Sequence, residues 1–212
     1  KTDIKGIRDG AGDSNTVVGS WGGIINKGSY NAIFGGGDNA IEISGSILSN
    51  TATSYNGILG GRENFIGERS SYSAILAGRN NYIKPIGTNG SLYGIVGGQN
   101  NNISGSDWAT ITGRGNTIYF GNYSSIIGGD ANNITFGSNT NAYSAILGGS
   151  GNTITHTRSA VIGGQNLSTT KTDEVVVSNL SIYGDTFISS SVLGTGSLID
   201  NLGQEGVGTT DS

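Results

Sequence analysis

His156 is the only histidine in the chain, and it lies in a Thr-His-Thr run beside a turn. A zinc site takes three or four protein ligands, and the chain has no cysteine to join this imidazole. No serine–histidine–aspartate pattern surrounds it. The carboxylates are scattered: Asp9, Asp13, Asp38, Glu63, Asp130, Asp173 and Glu174. A glycosidase needs two apposed carboxyl groups, and a pair formed between chains stays open. Two Gly-Gly segments invite comparison with calcium rolls, which need Gly-Gly-x-Gly-x-Asp-x-apolar-x. Gly148–His156 reads GGSGNTITH and Gly128–Phe136 reads GGDANNITF, so Thr153 and Asn133 stand where the aspartate belongs. Without carboxylate oxygens a calcium ion has no hard-ligand shell. A phosphate cradle fails for want of Gly-Lys-Ser/Thr. The pairs Thr51/Thr53, Thr110/Thr112 and Thr153/Thr155 do not recur at one position, which argues against an ice-binding face. We therefore expect no catalytic residue, no metal and no cofactor, and a protein that is not an enzyme.

What does recur is a unit of the form Tyr-Ser-Ala-Ile-Leu-Gly-Gly-x-x-Asn-x-Ile. Clear copies run Tyr30–Ile41, Tyr55–Ile66, Tyr72–Ile83, Tyr123–Ile134 and Tyr143–Ile154. Looser copies run Thr16–Ile25, Tyr93–Ile103, Asp107–Ile118 and Ser159–Leu167. The first residue of the Gly pair falls at Gly19, Gly35, Gly60, Ala77, Gly97, Thr112, Gly128, Gly148 and Gly163. A base period of about 15–16 residues is too short for helical repeats and suits a coil of two strands. Each copy predicts a first strand such as Ala145–Leu147, a glycine turn, a second strand of the Asn-x-Ile type, and a Ser/Thr/Gly-rich second turn. The fold class expected is all-β, a parallel β-roll or β-solenoid of about nine short two-strand repeats.

Side chains alternate between the two faces of a strand. One face of the first strand carries Ile33, Ile58, Ile75, Ile95, Ile126, Ile146 and Val161, assigned to core or trimer packing. The other pairs a small residue with a large apolar one: Ala32 with Phe34, Ala74 with Leu76, Ala145 with Leu147, Ala160 with Ile162. A strand apolar on both faces is buried on both, and one thin coil can cover only one of them. The pattern therefore predicts oligomerisation. Asn39, Asn64, Asn81, Asn116, Asn132 and Asn152 share a repeat position. They form either a stacked amide ladder or residues chosen for a left-handed turn. Tyr30, Tyr55, Tyr72, Tyr123 and Tyr143 also share a position. They pack coil on coil or, with Trp21 and Trp108, stack on sugar rings.

Three insertions break the rhythm: Glu42–Ser54, Lys84–Leu92 and Thr135–Ala142. Insertions in solenoids map to surface loops. These are rich in hydroxyl and amide groups suited to sugars. Ser46, Asn50, Thr53, Asn89, Tyr93, Asn139, Asn141 and Tyr143 are the candidate receptor-contact residues, tolerated drift being the alternative. The chain divides into a connector at 1–13, the array at 14–167, a strand segment at 168–190, and a Gly-rich connector to a following module at 191–212. There is no methionine, so Lys1 is expected to belong to a processed or longer chain.

Composition agrees. Glycine accounts for 39 of 212 residues, without the every-third-residue spacing and abundant proline of collagen. Charged residues make up only 12%, yet isoleucine is frequent and regularly placed, unlike a disordered chain. A net charge of −4 with no Lys/Arg cluster argues against nucleic acid. The longest apolar runs are a few residues, far short of a membrane span, so no membrane insertion is expected.

The units YSAILGGSGNTI (Tyr143–Ile154) and RSAVIGGQNL (Arg158–Leu167) resemble the head repeats of trimeric autotransporter adhesins, the YadA-like left-handed parallel β-roll. The GGxxNT variant is similar to repeat arrays in bacteriophage tail fibres. The resemblance covers about residues 16–167 and implies a left-handed roll, assembled as a homotrimer with each coil packed on two neighbours. One departure is the segment after the array. An adhesin head leads into an Asp-Ala-Val-Asn-Val type neck, whereas DEVVVSNLSIYGD (Asp173–Asp185) resembles strand segments that follow such arrays in phage fibres. The function expected is a structural and host-attachment segment of a trimeric phage tail fibre, located in the virion. The alternative is the head of a bacterial trimeric adhesin on the outer surface, and the third reading is a polysaccharide-degrading tailspike. The partners expected are further copies of the chain, a host-surface glycan or protein receptor, and other fibre modules or virion proteins at the two ends.

Overall fold

The computed structural model describes residues 14–26, 30–42, 55–67, 70–84, 90–91, 93–95 and 97–178. Strands are the only regular secondary structure among them. The chain winds as a β-solenoid in which each coil adds one strand to each of two parallel sheets. The first sheet has ten strands: Thr16–Val18, Ala32–Phe34, Gly57–Ile58, Ala74–Ile75, Tyr93–Ile95, Ala109–Ile111, Ser125–Ile127, Ala145–Leu147, Ala160–Ile162 and Val175–Val177. The second has eight: Ile24–Asn26, Ala40–Glu42, Phe65–Ile66, Tyr82–Lys84, Asn102–Ser104, Thr117–Asn122, Asn133–Asn141 and Thr153–Ile154. A third ladder of single bridges runs from Trp21 through Gly37, Arg62, Arg79, Gln99, Arg114, Asp130 and Ser150 to Gln165.

Eight coils carry both strands, and the nine repeat copies supply the first nine strands of the first sheet. The sheet runs on past Leu167, where the sequence reading ends the array. Val175–Val177 pairs with Ala160–Ile162 in unbroken register.

Strands of two or three residues hold no structure alone. They are held by an isoleucine from each sheet meeting in the coil's interior. Fifteen isoleucines and Val161 are fully buried, each contributing about 1.5–3 kcal/mol. Register places like on like: Ile33 on Ile58, Ile126 on Ile146, and Ile134 on Ile154. Ile33, Ile58, Ile75, Ile95, Ile126, Ile146 and Val161 all lie in this core.

The shared asparagines form a ladder. Asn39, Asn64, Asn81, Asn101, Asn116, Asn132 and Asn152 are all buried. Each side-chain oxygen accepts the N–H of the next asparagine at 2.8–3.1 Å. Their side-chain nitrogens donate to the glycine carbonyls of the turn, as from Asn64 to Gly60 at 3.2 Å and to Gly78 of the next coil at 3.0 Å. The left-handed turn conformation sits one residue earlier, at Asp38, Glu63, Asn80, Asn100 and Ala131, with φ between 51° and 57°. So the asparagines serve as the ladder rather than as the turn residues. Asn101 belongs to the column as well, although the Asn100–Asn102 run hides it in the sequence. A second column runs through the other turn. It begins with amides, Asn56 N–H donating to Asn31 Oδ1, and continues with hydroxyls, Ser159 N–H donating to Ser144 Oγ.

Candidate functional site

With the isoleucines turned inward, the other face of the first sheet is left uncovered. Phe34, Leu59, Leu76, Ile127, Leu147 and Ile162 form one column on it, with Phe34 46%, Ile127 58% and Leu147 45% exposed. Beside them runs a column of small residues, in which Ala32, Gly57, Ala74 and Gly94 are joined in register, as are Ala145 and Ala160. Ten strands at about 4.8 Å spacing make a stripe about 43 Å long and about 10 Å wide. That is roughly 400 Å² before relief is counted, the size of the largest apolar patch on a typical monomer, which is often functional.

An aromatic ridge edges the stripe. Tyr30, Tyr55 and Tyr72 stack at centroid separations of 4.9 and 5.0 Å. Trp108, Tyr123 and Tyr143 stack at 6.0 and 4.8 Å. These rings are about half exposed, and within each stack the facing sides cover one another. Coil-on-coil packing therefore uses the faces that sugar stacking would require.

The opposite turn is charged. Glu63 is paired with Arg62 at 3.0 Å and Arg79 at 3.5 Å. Arg114 grips Asp130 with two nitrogens, its Nε donating to Asp130 Oδ1 at 3.0 Å. Arg158 holds Asp173 in the same way, at 2.6 and 2.8 Å, but on the aromatic turn, where the two residues continue the column of Tyr123 and Tyr143. The guanidinium groups hold the Asp130 and Asp173 carboxyls below the ordinary carboxylate range, chiefly through these hydrogen bonds. Glu174 is lowered mainly by the Thr170 N–H that its side chain accepts. His156 Nδ1 lies 3.1 Å from Thr155 Oγ1 and 3.3 Å from Thr169 Oγ1, with no carboxylate bonded to it. Among the described residues no group of three or more His, Cys, Asp and Glu is placed to hold a metal ion.

The receptor-contact candidates divide. Ser46, Asn50, Thr53 and Asn89 lie outside the described residues. Tyr93 opens the strand Tyr93–Ile95 and pairs with Ala109, one place out of the tyrosine column. Tyr143 is exposed and stacked on Tyr123. The third insertion, Thr135–Ala142, is held in sheet on both sides of residues 136–139, which bulge from the ladder. Its residues through Asn141 extend the strand Asn133–Asn141, in which Thr140 pairs with Gly121 and Asn141 with Asn122 after a register shift. Asn139 lies in this strand, and exposed Asn141 accepts a hydrogen bond from Asn122 Nδ2 at 3.2 Å. Ala142 is fully buried. Polar Ser/Thr/Asn/Gly composition reads as loop, and residues 136–139 do leave the ladder, but a longer partner strand, Thr117–Asn122, pairs the residues on either side of them. Part of the second insertion is likewise paired, Gly90–Ser91 lying parallel to Ser70–Ser71.

No family model matches the chain, and neither does any curated protein.

Proposed function

We propose that this chain is a structural and host-attachment segment of a trimeric fibre, of the kind that forms a phage tail fibre, and that it performs no catalysis. The observation that carries this reading is the uncovered apolar stripe. A solenoid coil can satisfy its own core and still expose a row of Phe, Leu and Ile, and water disfavours that row by roughly 25 cal/mol per Å². Copies arranged around a shared axis would bury it, and the small-residue column would let their backbones approach. A left-handed winding, as in the repeats this chain resembles, is part of the proposal. Recognition of a host glycan or protein is assigned to the segments that depart from the plain coil, residues 42–54 and 84–92, each presented three times so that weak contacts add. A bacterial trimeric adhesin head would use the same surface, and the two readings differ in what flanks the segment.

Two neighbouring residues test the assembly. Ile146 is fully buried, and Leu147 on the other face is 45% exposed. Ile146→Asp should abolish the β-sheet circular dichroism, because an unpaired carboxylate cannot be buried there. Leu147→Asp should keep the spectrum and lower the sedimentation coefficient from trimer to monomer. A wild-type chain that sediments as a folded monomer would sink the proposal.

A further inference from the structure

The apolar stripe has a polar interruption. The column runs from Thr16 on the first strand through Ala32, Gly57, Ala74 and Gly94, then Ala145 and Ala160, to Val175 on the tenth, and Thr110 and Ser125 interrupt its middle on the sixth and seventh strands. They are direct neighbours in register. Thr110 is exposed and Ser125 half-buried. Neither hydroxyl has a hydrogen-bond partner among the described residues. Thr112, in the large-residue column of the same coil, differs, because its Oγ1 accepts the Gly128 N–H at 2.6 Å. The free hydroxyls thus sit where an apolar residue would pack as well or better.

We propose that Thr110 and Ser125 form a polar belt that sets the direction and axial register of neighbouring copies of this chain. The proposal rests on the trimer reading above. A second copy is the occupant to which the stripe commits: its size is that of apolar patches that are often functional, and its columns repeat at the spacing of an identical sheet. When copies lie parallel and level, belt meets belt and each hydroxyl finds another hydroxyl. A slip of one coil, about 4.8 Å, sets Ser125 against Ala145 and Leu147 and strands a hydroxyl in an apolar contact, where a lost partner is not replaced by water. The belt is also off centre. An antiparallel arrangement with full overlap would bring the seventh strand against the fourth, placing Ser125 on Ala74 and Leu76. Only the parallel, level arrangement pairs all the hydroxyls, as a single buried polar residue fixes register in coiled coils.

The chain has no cysteine, so one spin label can be placed cleanly. Ser150→Cys lies on the bridge ladder, away from the stripe. In the labelled full-length chain, pulsed electron resonance should give one sharp label-to-label distance. Adding Thr110→Ala and Ser125→Ala supplies the residue found elsewhere in that column, so folding and association should persist. The single distance should be lost to a broadened or multiple distribution. A single distance retained in that variant overturns the belt, and so does a multiple distribution in the wild type. Sedimentation of the labelled wild type as a monomer overturns the trimer reading itself.

Discussion

At the Gly128–Gly129 corner two adjacent glycines do different jobs. Both have positive φ, 77° and 80°. A Cβ on Gly128 would meet nothing within 4 Å, whereas one on Gly129 would lie 2.4 Å from both the Gly149 carbonyl oxygen and Asn132 Nδ2. The first position is constrained by conformation alone, and the second by the next coil stacked on it. Ala77 and Thr112 occupy the first place without positive φ, in coils whose second glycine lies at 111° and 101°, a turn form that Gly128 does not take, while the second place is glycine in every coil from Gly36 to Gly164. Gly128→Ala should therefore cost about 1–2 kcal/mol, the cost of a left-handed conformation for an L-residue. Gly129→Ala should cost more, since it also displaces a neighbouring coil and an amide of the ladder. Urea denaturation of the two variants measures the difference, and equal losses would mean that the stacked coil yields freely.

The asparagine ladder is an element in its own right, with defined ends. At its far end Leu167 takes the asparagine place, and its N–H closes the column on Asn152 Oδ1 at 2.9 Å. At its near end Gly23 takes that place. Ser20 replaces the turn glycine and fills the space, its Oγ lying 2.5 Å from where a Gly23 Cβ would be. Ser20 Oγ is buried without a hydrogen-bond partner among the described residues. Gly23→Asn alone should lower the melting temperature by clashing with Ser20. Combined with Ser20→Gly, it should recover stability by adding a rung whose oxygen accepts the Asn39 N–H. A double-mutant cycle by thermal unfolding reads the coupling, and additive effects would contradict this account of the end. The asparagine column was legible in the sequence because its spacing follows the Gly pair. Its role was not, because a turn residue and a ladder residue give the same pattern, and only the φ values one place earlier separate them. Residues 168–190 read as a strand segment, but that Val175–Val177 continues the first sheet escaped, because it is followed by Ser178 and not by a Gly pair. The stripe was legible as a second apolar face. Which face the coil keeps for itself was not, since both are apolar and the choice is made where the two sheets meet.

On the scale of the whole molecule, the solenoid is a stack in which each coil touches its neighbours and little else. Ser125 is level with Ala145, Ile126 with Ile146 and Ile127 with Leu147. Deleting 125–144, so that Ser124 joins Ala145, should therefore close the stack without changing any column. Asn116 would hand its rung to Asn152, and Ile111 would lie on Ile146. Such a shortened chain should keep its β-sheet circular dichroism and unfold at modestly lower denaturant. Complete loss of structure would mean that long-range cooperation, and not coil-on-coil stacking, holds the fold.

The bonds between coils, backbone and asparagine alike, run along the solenoid axis, and this bears on mechanical load. Tension on the two ends loads these bonds in series, so the weakest rung yields first. Each coil stacked in place spans about 4.8 Å, yet its 15 or more residues stretch to about 50 Å once released. Each failed coil thus lengthens about tenfold and adds about 45 Å to the shaft. The shaft would meet a sudden pull by paying out chain in discrete steps, with the coils that have not yet failed still stacked.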